Sequence, residues 1–128
     1  MIEQFIPYSE ALVLKQLGFD EPCLSYYKNG EFSGILELVR NSEMFDYSTE
    51  YIAAPLYQQA FKFFKGKYGL HSSYGTTSDF NKDINGFVIS NFIDGRRNNL
   101  TINWEVGTYE EAELECLRKL IEICKRVE

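Results

Sequence analysis

Leu100-Thr101-Ile102-Asn103-Trp104-Glu105-Val106, followed by Gly107-Thr108-Tyr109-Glu110-Glu111, decides the fold class. Apolar side chains at 100, 102, 104 and 106 alternate with polar ones, the period of a strand with one face turned from water. Within two residues the period changes. Thr108 and Glu111 stand at capping-box spacing, and Leu114, Leu117, Ile121 and Cys124, joined by Leu120 and Val127, recur along one helical stripe. Glu110, Glu111 and Glu113 lie at the positive end of that helix dipole, Lys125 and Arg126 at the negative end. An amphipathic helix leaving a one-faced strand should lie across the sheet. The phase predicts Leu100, Ile102 and Trp104 on the core face.

Upstream, Phe87 to Ile93 reads as a second strand, with Asp94-Gly95-Arg96-Arg97-Asn98-Asn99 as the connecting loop. Residues 72–85, rich in Ser, Thr and Asn, carry no strand pattern. A helix is expected from Pro55, suited to a first helical position, to Tyr68, stopped by Gly69. Leu56, Ala60, Phe63 and Phe64 form its main apolar stripe. Residues 37–54 are expected to be a loop packed by its own Met44, Phe45, Tyr47 and Tyr51. Asn29-Gly30 between Cys23-Leu24-Ser25-Tyr26-Tyr27 and Phe32 signals a tight hairpin. Ser9 to Leu17 forms a short helix with Ser9 as N-cap and Gly18 as stop, and Phe19 folds back onto the last turn.

These elements predict an α+β fold: an antiparallel sheet of about four strands, two main helices packed on one face, and a short N-terminal helix. Without repeats or linkers, residues 1–128 are expected to form one domain.

Composition narrows the function. The chain has 128 residues, 45% of them hydrophobic, and a net charge of −6. Residues 1–54 hold nine acids against three bases, whereas 55–107 hold four against six. An acidic front half suits a basic protein partner, and direct nucleic-acid binding is not expected. No apolar run is long enough to span a membrane, and Met1-Ile2-Glu3-Gln4-Phe5 lacks the pattern of a signal peptide. The expected location is therefore the cytoplasm. Cys23, Cys116 and Cys124 form no C-x-x-C pair and are expected to be reduced and mostly buried.

A single histidine, His71, makes a multi-histidine metal site impossible, and no phosphate-cradling glycine motif is present. No metal or cofactor is expected. The glutamates at 110, 111, 113 and 115 serve the helix dipole before any acid–base role. Two features point toward binding. Arg96-Arg97, beside Asn98 and Asn99, offers a two-pronged grip for phosphate or carboxylate. Tyr26, Tyr27, Tyr47, Tyr51 and Tyr74 exceed what a core of this size needs, and exposed tyrosines anchor contacts. The candidate ligand or partner site comprises Arg96, Arg97, Tyr26, Tyr27, His71 and Tyr74, with no catalytic residue assigned.

Three stretches carry a resemblance: Phe5-Ile6-Pro7-Tyr8 through Leu17-Gly18-Phe19-Asp20-Glu21-Pro22-Cys23, Ile52-Ala53-Ala54-Pro55-Leu56-Tyr57-Gln58-Gln59-Ala60-Phe61 through Gly69-Leu70, and Thr108-Tyr109-Glu110-Glu111 through Leu120-Ile121. In order and spacing the chain resembles small uncharacterised proteins encoded in bacteriophages and prophages of Bacteroidetes. The resemblance implies an accessory protein made in the cytoplasm of a bacterial host cell and brings no activity or site with it. Two readings follow. One is a non-enzymatic binder acting on a host factor, an anti-defence protein that inhibits a host protein or sequesters a small nucleotide. The other is a small hydrolase or nucleotide-modifying enzyme using Cys23 or His71 with Arg96 and Arg97.

Overall fold

The computed structural model describes residues 4–34, 36–79 and 82–127, with the side chains of Asp79, Lys82, Arg126 and Val127 outside that description. The expected roles of Arg126 and Val127 thus lie outside the described residues. The chain is α+β, with two three-stranded antiparallel sheets in place of one sheet of about four strands. It divides into two compact units, Met1–Ala60 and Phe61–Glu128. No helix among the described residues is long and apolar enough to cross a membrane.

In the first unit, α1 (Tyr8–Gln16) packs on a sheet of β1 (Ser25–Lys28), β2 (Glu31–Phe32) and β3 (Tyr51–Ala54), ordered β2-β1-β3. The β1–β2 turn has both Asn29 (φ 49°) and Gly30 (φ 83°) left-handed, as an Asn-Gly hairpin requires. Gly18 (φ 98°) ends α1, and the Phe19 amide returns to the Leu14 carbonyl at 2.9 Å with its ring buried. The N-cap is Pro7 rather than Ser9, and no side chain bonds back to the first turn. Residues 37–54 are more ordered than a loop. A 3-10 turn (Asn41–Glu43) leads to β3, which pairs Ser25 with Ala54 and Tyr27 with Ile52. Short, wholly apolar Tyr51-Ile52-Ala53-Ala54 lacks alternation because it is almost wholly buried.

α2 (Tyr57–Tyr68) begins two residues after Pro55 and carries the boundary between the units. The Gln59 side chain accepts from the Leu56 amide at 3.0 Å, which satisfies one of the open donors at the helix start.

In the second unit, β4 (His71–Asp79), β5 (Lys82–Ile93) and β6 (Arg96–Val106) form a meander, and α3 (Tyr109–Val127) follows. The whole of 72–79 is strand, although its polar residues hide the pattern. Asp94 (φ 52°) and Gly95 (φ 77°) alone make the β5–β6 turn, so Arg96 to Asn99 are strand rather than loop. Thr108 caps α3, accepting from the Glu111 amide at 3.1 Å.

α3 lies over β4 and β5: Ala112, Cys116, Leu117, Leu120 and Cys124 are buried with Phe87 and Ile89, while Leu114 is half-exposed. Pairing of Phe87 with Asn103 and Ile89 with Thr101 turns the polar residues of β6 toward the helix side. Ile102, opposite Val88, therefore lies on the other face and is 54% exposed, and Trp104 is 36% exposed. The expected core placement of Leu100, Ile102 and Trp104 is overturned. Alternation defines two faces without saying which one a helix covers, and bulges at Leu100 and opposite Gly86 further break the phase.

Candidate functional site

Strand alternation separates the two adjacent arginines. Arg96 pairs with Ile93 and Arg97 with Phe92, so the side chains leave opposite faces of the sheet. Arg97 points to the face away from α3, where its Nε donates to Ser90 Oγ at 3.1 Å. His71, paired with Ser90, shares that face, and its ring meets Phe92 edge-on at 5.0 Å. A groove of about 530 Å³ adjoins this face, lined by His71, Ser72, Ser73, Phe92 and Arg97 from the sheet and by Phe61, Lys62 and Lys65 from α2. Ser72, opposite Ile89, belongs to the α3 side of the sheet, and the Phe61 ring packs on Tyr74 at 5.0 Å.

The groove brings together His71 and Arg97, two of the expected residues, and adds Lys62 and Lys65, which the sequence analysis did not single out. Their signal was present: positions 62 and 65 lie one helical turn apart on the polar side of an otherwise aromatic helix. None of the eight lining residues is acidic, and among the described residues no carboxylate forms a salt bridge with Lys62, Lys65 or Arg97.

The remaining expected site residues lie elsewhere. Arg96 lines a hollow at the hairpin with Ile93, Asp94, Arg97 and Asn98, so Arg97 borders both this hollow and the groove. Tyr74 is turned toward α3, where its hydroxyl donates to Glu113 at 2.6 Å and its ring meets Tyr109. Burial, followed by the Glu113 bond and charge, raises its pKa strongly, so this phenol stays protonated and ties the helix to the sheet. Tyr27 is core, its hydroxyl donating to the Ile6 carbonyl at 2.7 Å, and burial followed by the Glu10 charge pushes its pKa up. Tyr26 packs edge-on to Tyr51 beside a small hollow lined also by Glu37, Val39 and Met44. Phe45 and Tyr47 meet each other at 5.0 Å without packing the loop inward, and Tyr47 is 97% exposed.

Cys23, the thiol nucleophile considered for catalysis, is fully buried in the first unit. Burial, with the charges of Glu21 and Asp20, pushes its thiol up to about 12, leaving negligible thiolate near neutral pH. Its S–H is directed at the Glu21 carbonyl, 3.5 Å away. Asp20 and Gln59, polar residues that helix and strand rules do not require, also have structural work. Asp20 accepts from the Ser42 amide at 2.8 Å, and Gln59 donates to the Pro22 carbonyl at 2.8 Å.

Among the described residues no cluster of His, Cys, Asp and Glu could hold a metal ion. Comparison with family models, curated proteins and solved structures finds no match.

Proposed function

We propose that the protein is a non-enzymatic binder of a small phosphate-bearing ligand, held in the groove between α2 and the second sheet. The observation that supports this most is the convergence of Lys62, Lys65, Arg97 and His71 in a groove lined by no carboxylate. Arg97 supplies planar, directional donors and the lysines supply mobile positive charge, the combination suited to phosphate oxygens. Phe92, 53% exposed beside the cations, offers apolar surface to a flat ring, which favours a nucleotide over inorganic phosphate. In the phage setting implied by the sequence resemblance, such binding acts by sequestering a small nucleotide from a host factor.

Calorimetric titration with AMP and with pyrophosphate tests this reading. Saturable, salt-sensitive binding is expected, weakened about tenfold or more by Arg97→Gln, because charge-assisted hydrogen bonds contribute roughly 1.5 to 3 kcal/mol. Absence of binding by both probes, or equal affinity in the variant, refutes it.

A second reading is favoured by the exposed Phe45 and Tyr47 rings on the acidic first unit: docking to a basic host protein. Phe45→Ser with Tyr47→Ser would then abolish a host-protein complex while leaving AMP binding intact.

A further inference from the structure

Beyond the groove's lining residues the face away from α3 continues along β5 and β6, with Ser90 fully buried and Ile102 and Trp104 exposed. On the face away from α3, Ser90 pairs with Asn99 and Val88 with Ile102, while Gly86 sits opposite the bulge at Trp104. The Trp104 indole lies against the bare backbone of Gly86, where a Cβ would meet its Cε3 at 2.7 Å and the Asn103 carbonyl oxygen at 2.1 Å. Glycine is required here for the ring to lie down on the strand. At the other end, Phe92 is 53% exposed beside Arg97. From Phe92 to Gly86 along β5 is about 20 Å at the rise of a strand.

On the opposite face α3 mixes Glu110, Glu111, Glu113, Glu115 and Glu122 with Arg118, Lys119, Lys125 and Arg126, whereas the groove on the open side is bordered by Lys62, Lys65 and Arg97 with no acid among its lining residues. Asp94 in the hairpin and Glu105 beyond Trp104 stand at the ends of the strip. The overall acidic balance argues against general affinity for nucleic acid, but that argument concerns the sum of charges rather than their placement.

We infer that the ligand is a short single-stranded oligonucleotide, with phosphates on Lys62, Lys65 and Arg97 and bases stacked along the strip from Phe92 to Trp104. This rests on the groove being a phosphate site and adds the direction in which the ligand extends. The two aromatic platforms are separated by roughly the length of a four-nucleotide tract, the lower end of single-strand site sizes. Asn99 and Ser73 provide neutral hydrogen-bonding groups on this face, and Ile102 provides apolar surface for an intervening base. Three phosphate contacts on a single strand give a slope of about −2 in log affinity against log salt.

Trp104 is the sole tryptophan of the chain, so its fluorescence reports the far end of the strip directly. Titration with a thymidylate tetramer is expected to quench it and to show at least tenfold tighter binding than thymidine monophosphate. Trp104→Leu and, independently, the exposed-site change Ile102→Ser are expected to reduce tetramer affinity to that of the monophosphate. The inference is overturned if the monophosphate binds and the tetramer binds no more tightly. It is also overturned if tight tetramer binding leaves Trp104 fluorescence unchanged and survives both substitutions. In either case the groove reading stands; failure of both probes to bind removes the two together.

Discussion

Asn41 in the first unit and Arg97 in the second are both polar side chains placed by short-range geometry, yet their surroundings differ. Asn41 is buried, donates to the Phe19 carbonyl at 2.9 Å and accepts from the Ala53 amide at 2.8 Å, joining the end of α1 to β3. Arg97 is exposed; its Nε bonds to Ser90 while the rest of the guanidinium borders the groove. The first unit also commits Tyr27, Asp20 and Gln59 to internal bonds, so its polar groups largely hold chain segments together. The second gathers Lys62, Lys65, His71 and Arg97 along one groove, with Arg97 also bonded to Ser90 and His71 packed on Phe92. Positive charge concentrated beside an open groove marks the more favourable place for a ligand.

The largest expected effect is on the first side of this contrast. Asn41→Ala leaves a buried carbonyl and a buried amide without their partner, a loss of roughly 2 to 4 kcal/mol. Chemical denaturation measures it, and a loss below about 1 kcal/mol would mean that Asn41 is not the tie the geometry indicates.

Alkaline pH gives an intermediate effect and reaches both units. Cys23 in the first unit and Cys116 in the second are held protonated in the fold, each thiol pushed by burial from 9.0 up to about 12, and Tyr27 and Tyr74 shift in the same direction. The fold therefore favours the protonated forms. That stability is complete below the unfolded thiol value of 9.0 and is lost as pH rises toward 12. By pH 10 the loss is about 1 kcal/mol for each thiol. Thermal melts across pH 8 to 11 should show a monotonic fall, and native protein should resist thiol-specific reagents until unfolded. Rapid labelling of Cys23 in the native state would contradict its burial.

The smallest effect on stability belongs to the groove. Lys62→Gln with Arg97→Gln should change the free energy of unfolding by no more than about 0.5 kcal/mol, because exposed charges contribute little. A larger loss would show that the groove's cations are committed to the fold, as the polar groups of the first unit are, and would erase the contrast.

Elements governed by neighbours in sequence were legible from residue types. Asn29-Gly30 had to adopt positive φ, Gly18 had to end α1, and Thr108 with Glu111 had to open α3, because each is a local backbone requirement. The polar strand β4 was illegible for the converse reason: Ser72, Ser73, Thr76 and Thr77 become strand through pairing with β5, not through an apolar face. His71 and Arg97 were recognisable as binding residue types. Their convergence was not, since it depends on Ser90 lying opposite His71 and Phe92 opposite Arg97.

By itself, then, the sequence determined the α+β class, the tight turns, the glycine stop of α1, the capped start of α3 and the acidic first part, all set by interactions over a few residues or by composition. Tertiary structure decided which face of the second sheet the helix covers, that Arg96 and Arg97 leave opposite faces of β6, and that Lys62 and Lys65 join His71. The physical reason is strand alternation: its period of two assigns residues to faces, but only packing determines which face is buried and which remains open.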